Sequence, residues 1–311
     1  MPKYKRKLHL ALGGGGARGL AHIGVLKVIE QERLPIGRLS GTSGGAIIAA
    51  LYAQTGRADK VYEKMQQFLK GDAFREFGLY LFREEKGNGR SYWKSVENLL
   101  HYLKSRLTYS RVFIARSIFS AERFVALLSE LYEDGNLEDC RYPLQIAAVN
   151  VDSGEDVLID RGNLTRAVAA SAAIPGLIAP VEFGGKCLID GAVINAVPLL
   201  RTNRRREVPV AVDVSRCVRT DYPRRMALDY IFRAEEITTF RLNEVHLKRA
   251  EILIRPQEVR HGHWADFSRI DEFVQSGARA AEAKIAELKD ALHHRDSALR
   301  IWLQQKICVP S

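Results

Sequence analysis

The sequence predicts an α/β layered domain built on a mainly parallel sheet, and three observations carry that reading. Short apolar runs of strand length alternate with stretches of helical periodicity along the chain. Two of these runs, Leu8 to Leu12 and Ile36 to Leu39, lead through glycine-rich turns directly into helices, the beginning of a layered strand-and-helix architecture. No internal repeat and no low-complexity linker divides the 311 residues, so they read as one domain able to bury a sizeable core.

The elements follow in order. Leu8 to Leu12 is a short buried strand, Gly13 to Gly19 a backbone loop, and Leu20 to Gln31 a helix with apolar residues at Ile23, Leu26 and Ile29. After Pro35 the unit repeats: strand Ile36 to Leu39, the sharp turn Ser40-Gly41-Thr42-Ser43-Gly44-Gly45, and a small-residue helix from Ala46 to about Gln54. From Lys60 to Glu133 the chain becomes amphipathic, aromatic and basic, with Phe74, Phe77, Tyr80, Phe82, Tyr92, Trp93, Tyr102 and Tyr109; this reads as a helical insertion over the sheet edge, with Glu84 to Ser91 as its flexible loop. Strands at Leu144 to Val151 and Val157 to Ile159 flank the turn Asp152-Ser153-Gly154, and a helix from Leu164 to Ala173 must stop near Pro175. Cys187 to Ile189, Val208 to Val214 and Glu251 to Ile254 are further strands, with helix between the last two around Tyr230 to Lys248. One long amphipathic helix, about Arg269 to Asp290, closes the pattern.

Composition narrows the function classes. With 46% hydrophobic and 27% charged residues the chain is globular rather than disordered. Its formal net charge of +10 draws it toward anionic surfaces, lipid headgroups or nucleic acid. The charge gathers at Lys3, Lys5, Arg6 and Lys7 and at Arg201, Arg204, Arg205 and Arg206, where solvated loops are expected. No helix-turn-helix, zinc-finger or RNA-binding signature accompanies it, so no specific nucleic-acid partner is expected. Cys140, Cys187, Cys217 and Cys308 lack the paired spacing of a metal or redox site and read as thiols of a reducing, cytoplasmic compartment. The apolar run after the basic N-terminus ends in glycines, so no export signal is read. No apolar stretch approaches the ~20 residues of a membrane span, so any membrane contact is expected to be peripheral, at the inner face.

Gly14-Gly15-Gly16-Ala17-Arg18-Gly19 has the spacing of the dinucleotide fingerprint and lies between a strand and a helix. That fold wants an acidic residue at the end of the second strand, where this chain has Ser40-Gly41-Thr42-Ser43. A triphosphate-binding loop fails because Leu20, not Lys, follows Gly19. A third reading, beside which a dinucleotide-binding oxidoreductase stays as a lesser rival, is an oxyanion hole: consecutive glycines turn backbone N–H groups toward one point at a helix N-terminus, where the macrodipole also favours negative charge. Arg18 then either adds a positive charge or anchors the loop.

Gly41-Thr42-Ser43-Gly44-Gly45 fits the G-x-S-x-G elbow, and its place between strand and small-residue helix is the context that motif requires. A serine needs a base. His246, His261 and His263 follow in the order an α/β-hydrolase would use, yet Ser43 comes after only the second strand, and His261 and His263 sit in what reads as an exposed loop. The alternative base is Asp190, at the end of the apolar run Cys187-Leu188-Ile189 and followed by the small Gly191 and Ala192; a plain Asp-Gly turn accounts for the same residues.

The three segments in this order resemble the motifs of the patatin-like phospholipase family, and most nearly its bacterial branch related to neuropathy target esterase. Ala170 to Gly176, Val193 to Pro198, Ile252 to Pro256 and Asp266-Phe267 extend the resemblance over about residues 8–288. Gly44 and Ala17-Arg18 depart from common variants without removing a functional group. The resemblance implies a three-layer fold with helices flanking the sheet, a single domain over 8–288 with the insertion at about 60–133, and a C-terminal extension over 289–311. It further implies acyl-ester hydrolysis by a Ser43–Asp190 dyad, with Gly14, Gly15, Gly16 and Arg18 at the oxyanion hole. Gly19, Gly41, Gly45, Gly191 and Ala192 would support the motifs. It implies no metal or organic cofactor, a lipid or lysolipid ester as substrate, and contact with an anionic membrane; a catalytically silent adaptor of the same fold is the rival reading.

Overall fold

Strand β1, Lys7–Leu12, is buried from Leu8 onward on both faces, as the central strand of a parallel sheet must be. In the computed structural model, which describes residues 4–79, 117–199, 202–218 and 227–294, it pairs in parallel with β2, Ile36–Gly41, on one side and β7, Glu207–Val212, on the other. Outside these lie β3, Leu144–Asn150, parallel to β2, and β8, Ile252–Ile254, parallel to β7. Beyond β3 the sheet turns antiparallel through β4, Asp156–Ile159, and β6, Lys186–Asp190, which both pair with β3, and through β5, Val181–Phe183, which pairs with β6.

The alternation of side chains along each strand divides the apolar residues between two faces. Leu8, Leu10, Leu12, Leu39, Leu144, Ile146, Val210 and Val212 belong to the main core. It is closed by helices α1 (Ala21–Gln31), α2 (Gly44–Thr55), α3 (Ala58–Lys70), α4 (Asp72–Phe77), α5 (Ala121–Ser129) and α6 (Leu164–Ser171). The opposite face carries a smaller cluster of Ala11, Ala211, Val197, Leu199 and Leu247, the last from the end of helix α7, Ala227–Leu247. The mainly parallel sheet flanked by helices is thus present, with layers of unequal depth.

Several elements differ from expectation for identifiable reasons. The closing helix is two: α8, Ile270–Glu282, and α9, Ile285–His293, broken at Ala283-Lys284. The break lets α9 turn back on the N-terminal strand, where the Leu292 carbonyl accepts the Lys5 and Arg6 amides. Arg6 is not in a solvated loop: it is 2% exposed, its guanidinium forks onto both oxygens of Glu251 at 2.7 and 2.9 Å, and it also donates to the Ala291 carbonyl. Strand β5 has no counterpart in the sequence reading; it is joined to β6 by Gly184-Gly185, both at positive φ as a two-residue hairpin requires. Of the expected insertion, α3, α4 and α5 are described and helical, while Tyr80, Phe82, the Glu84 to Ser91 loop, Tyr92, Trp93, Tyr102 and Tyr109 lie outside the described residues. Among the described residues no helix is long and apolar enough to cross a membrane, and Cys140 and Cys217 are free thiols.

Candidate active site

The two glycine-rich turns leave the C-terminal ends of neighbouring strands β1 and β2, the edge of an open α/β sheet where ligands bind. At the end of β2 the chain reverses within one residue. Ser43 has φ 53° and ψ −124°, a strained conformation for a residue with a side chain, and α2 starts immediately after it. The strain is held by the surroundings. The Ser43 amide donates to the Ser171 hydroxyl at 2.9 Å, the Thr42 amide to the Leu12 carbonyl at 3.2 Å, and the Thr42 hydroxyl to the Asn195 carbonyl at 2.9 Å. The first turn of α2 crosses β1 so closely that a Cβ on Gly45 would stand 2.1 Å from the Leu12 carbonyl oxygen.

The loop after β1 abuts this elbow. A Cβ on Gly14 would touch that of Ser43 at 3.3 Å, and one on Gly44 would lie 2.5 Å from the Gly16 carbonyl oxygen. Gly16, at φ 57°, begins a short 3-10 turn, Gly16–Leu20, that continues into α1. The Gly14 amide is spent on the Ala196 carbonyl at 2.9 Å, so it does not face the reacting centre as expected. The amides of Gly15 and Gly16 donate to no protein acceptor among the described residues. Arg18 is turned away from the cavity beside Ser43; its guanidinium donates to the Gly262 carbonyl at 3.3 Å and ties the loop to the segment before Trp264. Burial and the nearby Arg216 and Arg260 lower its pKa to about 10. Of its two expected roles, anchoring is the one this bond supports. His22, which the sequence reading passed over, supports the same loop by donating from Nε2 to the Gly13 carbonyl at 2.8 Å. Burial holds its pKa near 4 and keeps it neutral.

Asp190 ends β6 and is 5% exposed. Burial pushes its carboxyl up to about 6, against the opposing effects of the Ala192 amide, which donates to it at 2.8 Å, and of the neighbouring Ser43 hydroxyl. Gly191 lets the turn close: a Cβ there would meet the Ala147 carbonyl oxygen at 2.4 Å. Ser43, Asp190 and the glycine loop, far apart in sequence, therefore converge. The three candidate histidines do not join them. His261 closes the 3-10 turn Glu258–His261, His263 Nδ1 accepts the Ala265 amide at 3.2 Å, and His246 lies on α7 within the field of Asp156. Beside Ser43 opens an apolar cavity of about 70 Å³, lined among others by Ile47, Met65, Phe68, Phe74, Leu127, Ile174 and Trp264. A carboxyl group with raised pKa against a serine hydroxyl, beside an apolar slot and free backbone donors, can take a proton from the serine and hold a developing oxyanion.

The dinucleotide reading finds no support here: β2 ends in the elbow, with no carboxylate at the position a ribose would need. Among the described residues no group of three or more His, Cys, Asp or Glu side chains is arranged to hold a metal ion.

The family model for patatin-like phospholipase matches residues 10–202. An uncharacterized NTE family protein of Mycobacterium bovis is 30% identical over 193 residues, 62% of this chain and 44% of that protein. Patatin-like phospholipase domain-containing protein 6 of Mus musculus is 29% identical over 215 residues, 68% of this chain. Lysophospholipase NTE1 of Debaryomyces hansenii is 25% identical over 206 residues, 66% of this chain. The chain spans only 12% of the fungal protein and 14% of the mouse protein. Among solved structures, VipD from Legionella pneumophila aligns over 98% of this chain and 74% of its own, at 14% identity and a TM-score of 0.40.

Proposed function

Because the chain belongs to the patatin-like phospholipase family, we propose that it is a serine acyl hydrolase acting on lipid or lysolipid esters through Ser43 and Asp190. The observation that carries this reading is the buried Asp190 carboxyl, held near pKa 6 against the hydroxyl of a serine in a strained elbow. At neutral pH the carboxylate is ionised and still basic enough to accept a proton.

The Ser43 oxygen attacks the acyl carbonyl carbon while its proton passes to Asp190. The carbonyl electrons move onto oxygen, where the Gly15 and Gly16 amides and the N-terminal end of the following helix stabilise the charge; one such donor is worth roughly 3 kcal/mol. Collapse of the intermediate breaks the ester C–O bond, Asp190 returns its proton to the departing alcohol, and an acyl-Ser43 remains. Asp190 then takes a proton from water, whose oxygen attacks the acyl carbon; the acyl–oxygen bond to Ser43 breaks, Asp190 returns the proton to the Ser43 oxygen, and the fatty acid is released. The reaction needs no metal or organic cofactor. The apolar cavity beside Ser43 receives the first carbons of the acyl chain and excludes water from them.

The net charge of +10 adds a second element: peripheral contact with anionic membranes at the cytoplasmic face, which brings the site to its substrate. Sedimentation with anionic vesicles should weaken as salt rises, whereas binding indifferent to lipid charge would remove this element. For the chemistry, wild type and Ser43→Ala are compared on a short-chain p-nitrophenyl ester and with a fluorophosphonate probe. Loss of both turnover and label in the variant is the expected result; a wild type that neither turns over nor labels would favour a silent adaptor of the same fold.

A further inference from the structure

The backbones of the two residues assigned to the chemistry are held by one short stretch of chain. The end of α6 and the turn that follows it place the Ser171 hydroxyl 2.9 Å from the Ser43 amide and the Ala173 carbonyl 3.0 Å from the Asp190 amide. Ser171 is fully buried and its own hydroxyl hydrogen is committed to the Ala147 carbonyl at 2.5 Å, so its oxygen is free to accept only from the elbow. Ala147 is in turn the residue against whose carbonyl Gly191 closes. The helix stops here because Pro175 follows, which fixes where this turn ends. The two residues interleaved with these contacts, Ala172 and Ile174, line the apolar cavity beside Ser43.

From this juxtaposition we infer that the turn Ser171 to Ala173 sets the separation of the Ser43 hydroxyl and the Asp190 carboxylate, and that Ser171 is a positioning residue for acyl transfer. The inference rests on the proposed acyl-hydrolase reading and adds to it the element that registers the pair. Without the Ser171 hydroxyl the elbow amide is buried with no acceptor, and the strained φ of Ser43 loses one of its restraints. The serine then samples orientations in which its proton does not face Asp190, and a small misplacement of a reacting group is expensive in rate. An acyl chain that fills the cavity packs on Ala172 and Ile174 and so presses on the same turn. Chain length should therefore enter through kcat, and not only through binding.

The test compares wild type, Ser171→Ala and Ser171→Cys on p-nitrophenyl acetate, butyrate and decanoate, with the rate of fluorophosphonate labelling measured alongside. The expected result is a roughly tenfold loss of kcat in Ser171→Ala, with KM within about twofold of wild type and a parallel slowing of labelling. The loss should be largest on acetate and smaller on butyrate and decanoate, whose first carbons fill the cavity. Ser171→Cys, nearly isosteric and a weaker acceptor, should fall between the two and supplies the answer if the alanine variant does not fold. Variants with wild-type kcat, a loss confined to KM, or a loss independent of chain length would overturn the inference. A wild type that is itself neither active nor labelled at Ser43 would instead overturn the reading beneath it, so the two failures are distinguishable.

Discussion

Gly45 lies against Leu12 with no room for a side chain: a Cβ would stand 2.1 Å from the Leu12 carbonyl oxygen and 2.6 Å from that of Gly13. Both obstacles are main chain of the central strand and its loop, so neither can move without displacing the sheet. The contact brings α2 down onto β1 and thereby sets the height of Ser43 above the sheet.

Gly45→Ala should consequently lower stability by about 3 kcal/mol or more and reduce fluorophosphonate labelling of whatever remains folded. Urea unfolding monitored by tryptophan fluorescence, with labelling below the transition, checks both. A variant with an unchanged midpoint would mean that the close approach is not real.

Ser43 is one of two non-glycine residues at positive φ among the described residues, the other being Arg33. Ser43→Ala removes the hydroxyl and leaves the strain, whereas Ser43→Gly removes both. Each variant should be inactive, but the glycine variant should be the more stable by about 1 kcal/mol, the part of a strain of roughly 1–3 kcal/mol that survives glycine's greater unfolded-state entropy. Equal melting temperatures for the two would argue that the elbow is relaxed.

Asp190 combines function with a stability penalty. Its carboxyl titrates near 6 in the fold and at 3.8 when unperturbed, so ionisation disfavours the folded state above pH 6 and the penalty vanishes as pH falls toward 3.8. At about 1.4 kcal/mol per pH unit this amounts to up to about 3 kcal/mol at neutral pH. Asp190→Asn, which keeps an acceptor for the Ala192 amide, should raise the melting temperature at pH 7.5 while abolishing turnover. In the wild type kcat/KM should climb with pH through an apparent pKa near 6 and then level. Full activity in a folded Asp190→Asn protein would end the role assigned to this carboxylate.

How much of this was legible in the sequence depends on whether the information is local. Gly41 to Gly45 and Asp190-Gly191 announce themselves because a strained elbow and a tight turn need particular residues at adjacent positions. The fate of the Gly14 amide is different: it depends on where the Ala196 carbonyl comes to rest, and nothing in the glycine spacing encodes that. Ser171 and His22 are likewise invisible as supports, since a serine ending an alanine-rich helix and a histidine in an apolar one acquire their roles from Ser43 and Gly13. The antiparallel flank of the sheet was missed in part because β5 is three residues long, although Gly184-Gly185 was a readable hairpin signal. The closing helix was read as continuous because α8 and α9 keep one periodicity through Ala283-Lys284, and only the N-terminal strand that α9 meets explains the break.

Two buried histidines give the fold an acid sensitivity whose sign can be worked out. His9 accepts the Thr202 hydroxyl proton at Nδ1 and donates from Nε2 to the Ser40 oxygen, whose own proton goes to the Pro198 carbonyl. Burial, aided by Arg38, lowers its pKa to about 3 and so keeps the ring neutral in this arrangement; His22 sits near 4. Both are 6.5 when unperturbed, so below that pH the unfolded chain takes up protons that the fold refuses, and stability falls with pH. Asp190 opposes this below about 6, because the fold then binds a proton that the unfolded chain does not. His9 and His22 against Asp190 leave a net loss of roughly 2 kcal/mol between pH 7 and pH 5, to which His246, lowered by burial and by Arg249, adds in the same direction. His22→Gln, which keeps an N–H for the Gly13 carbonyl and cannot titrate, should shrink that loss by about 2 kcal/mol, so urea midpoints at the two pH values should lie clearly closer together in the variant than in the wild type. An equal drop in both proteins would show that His22 is accessible to protons in the folded state.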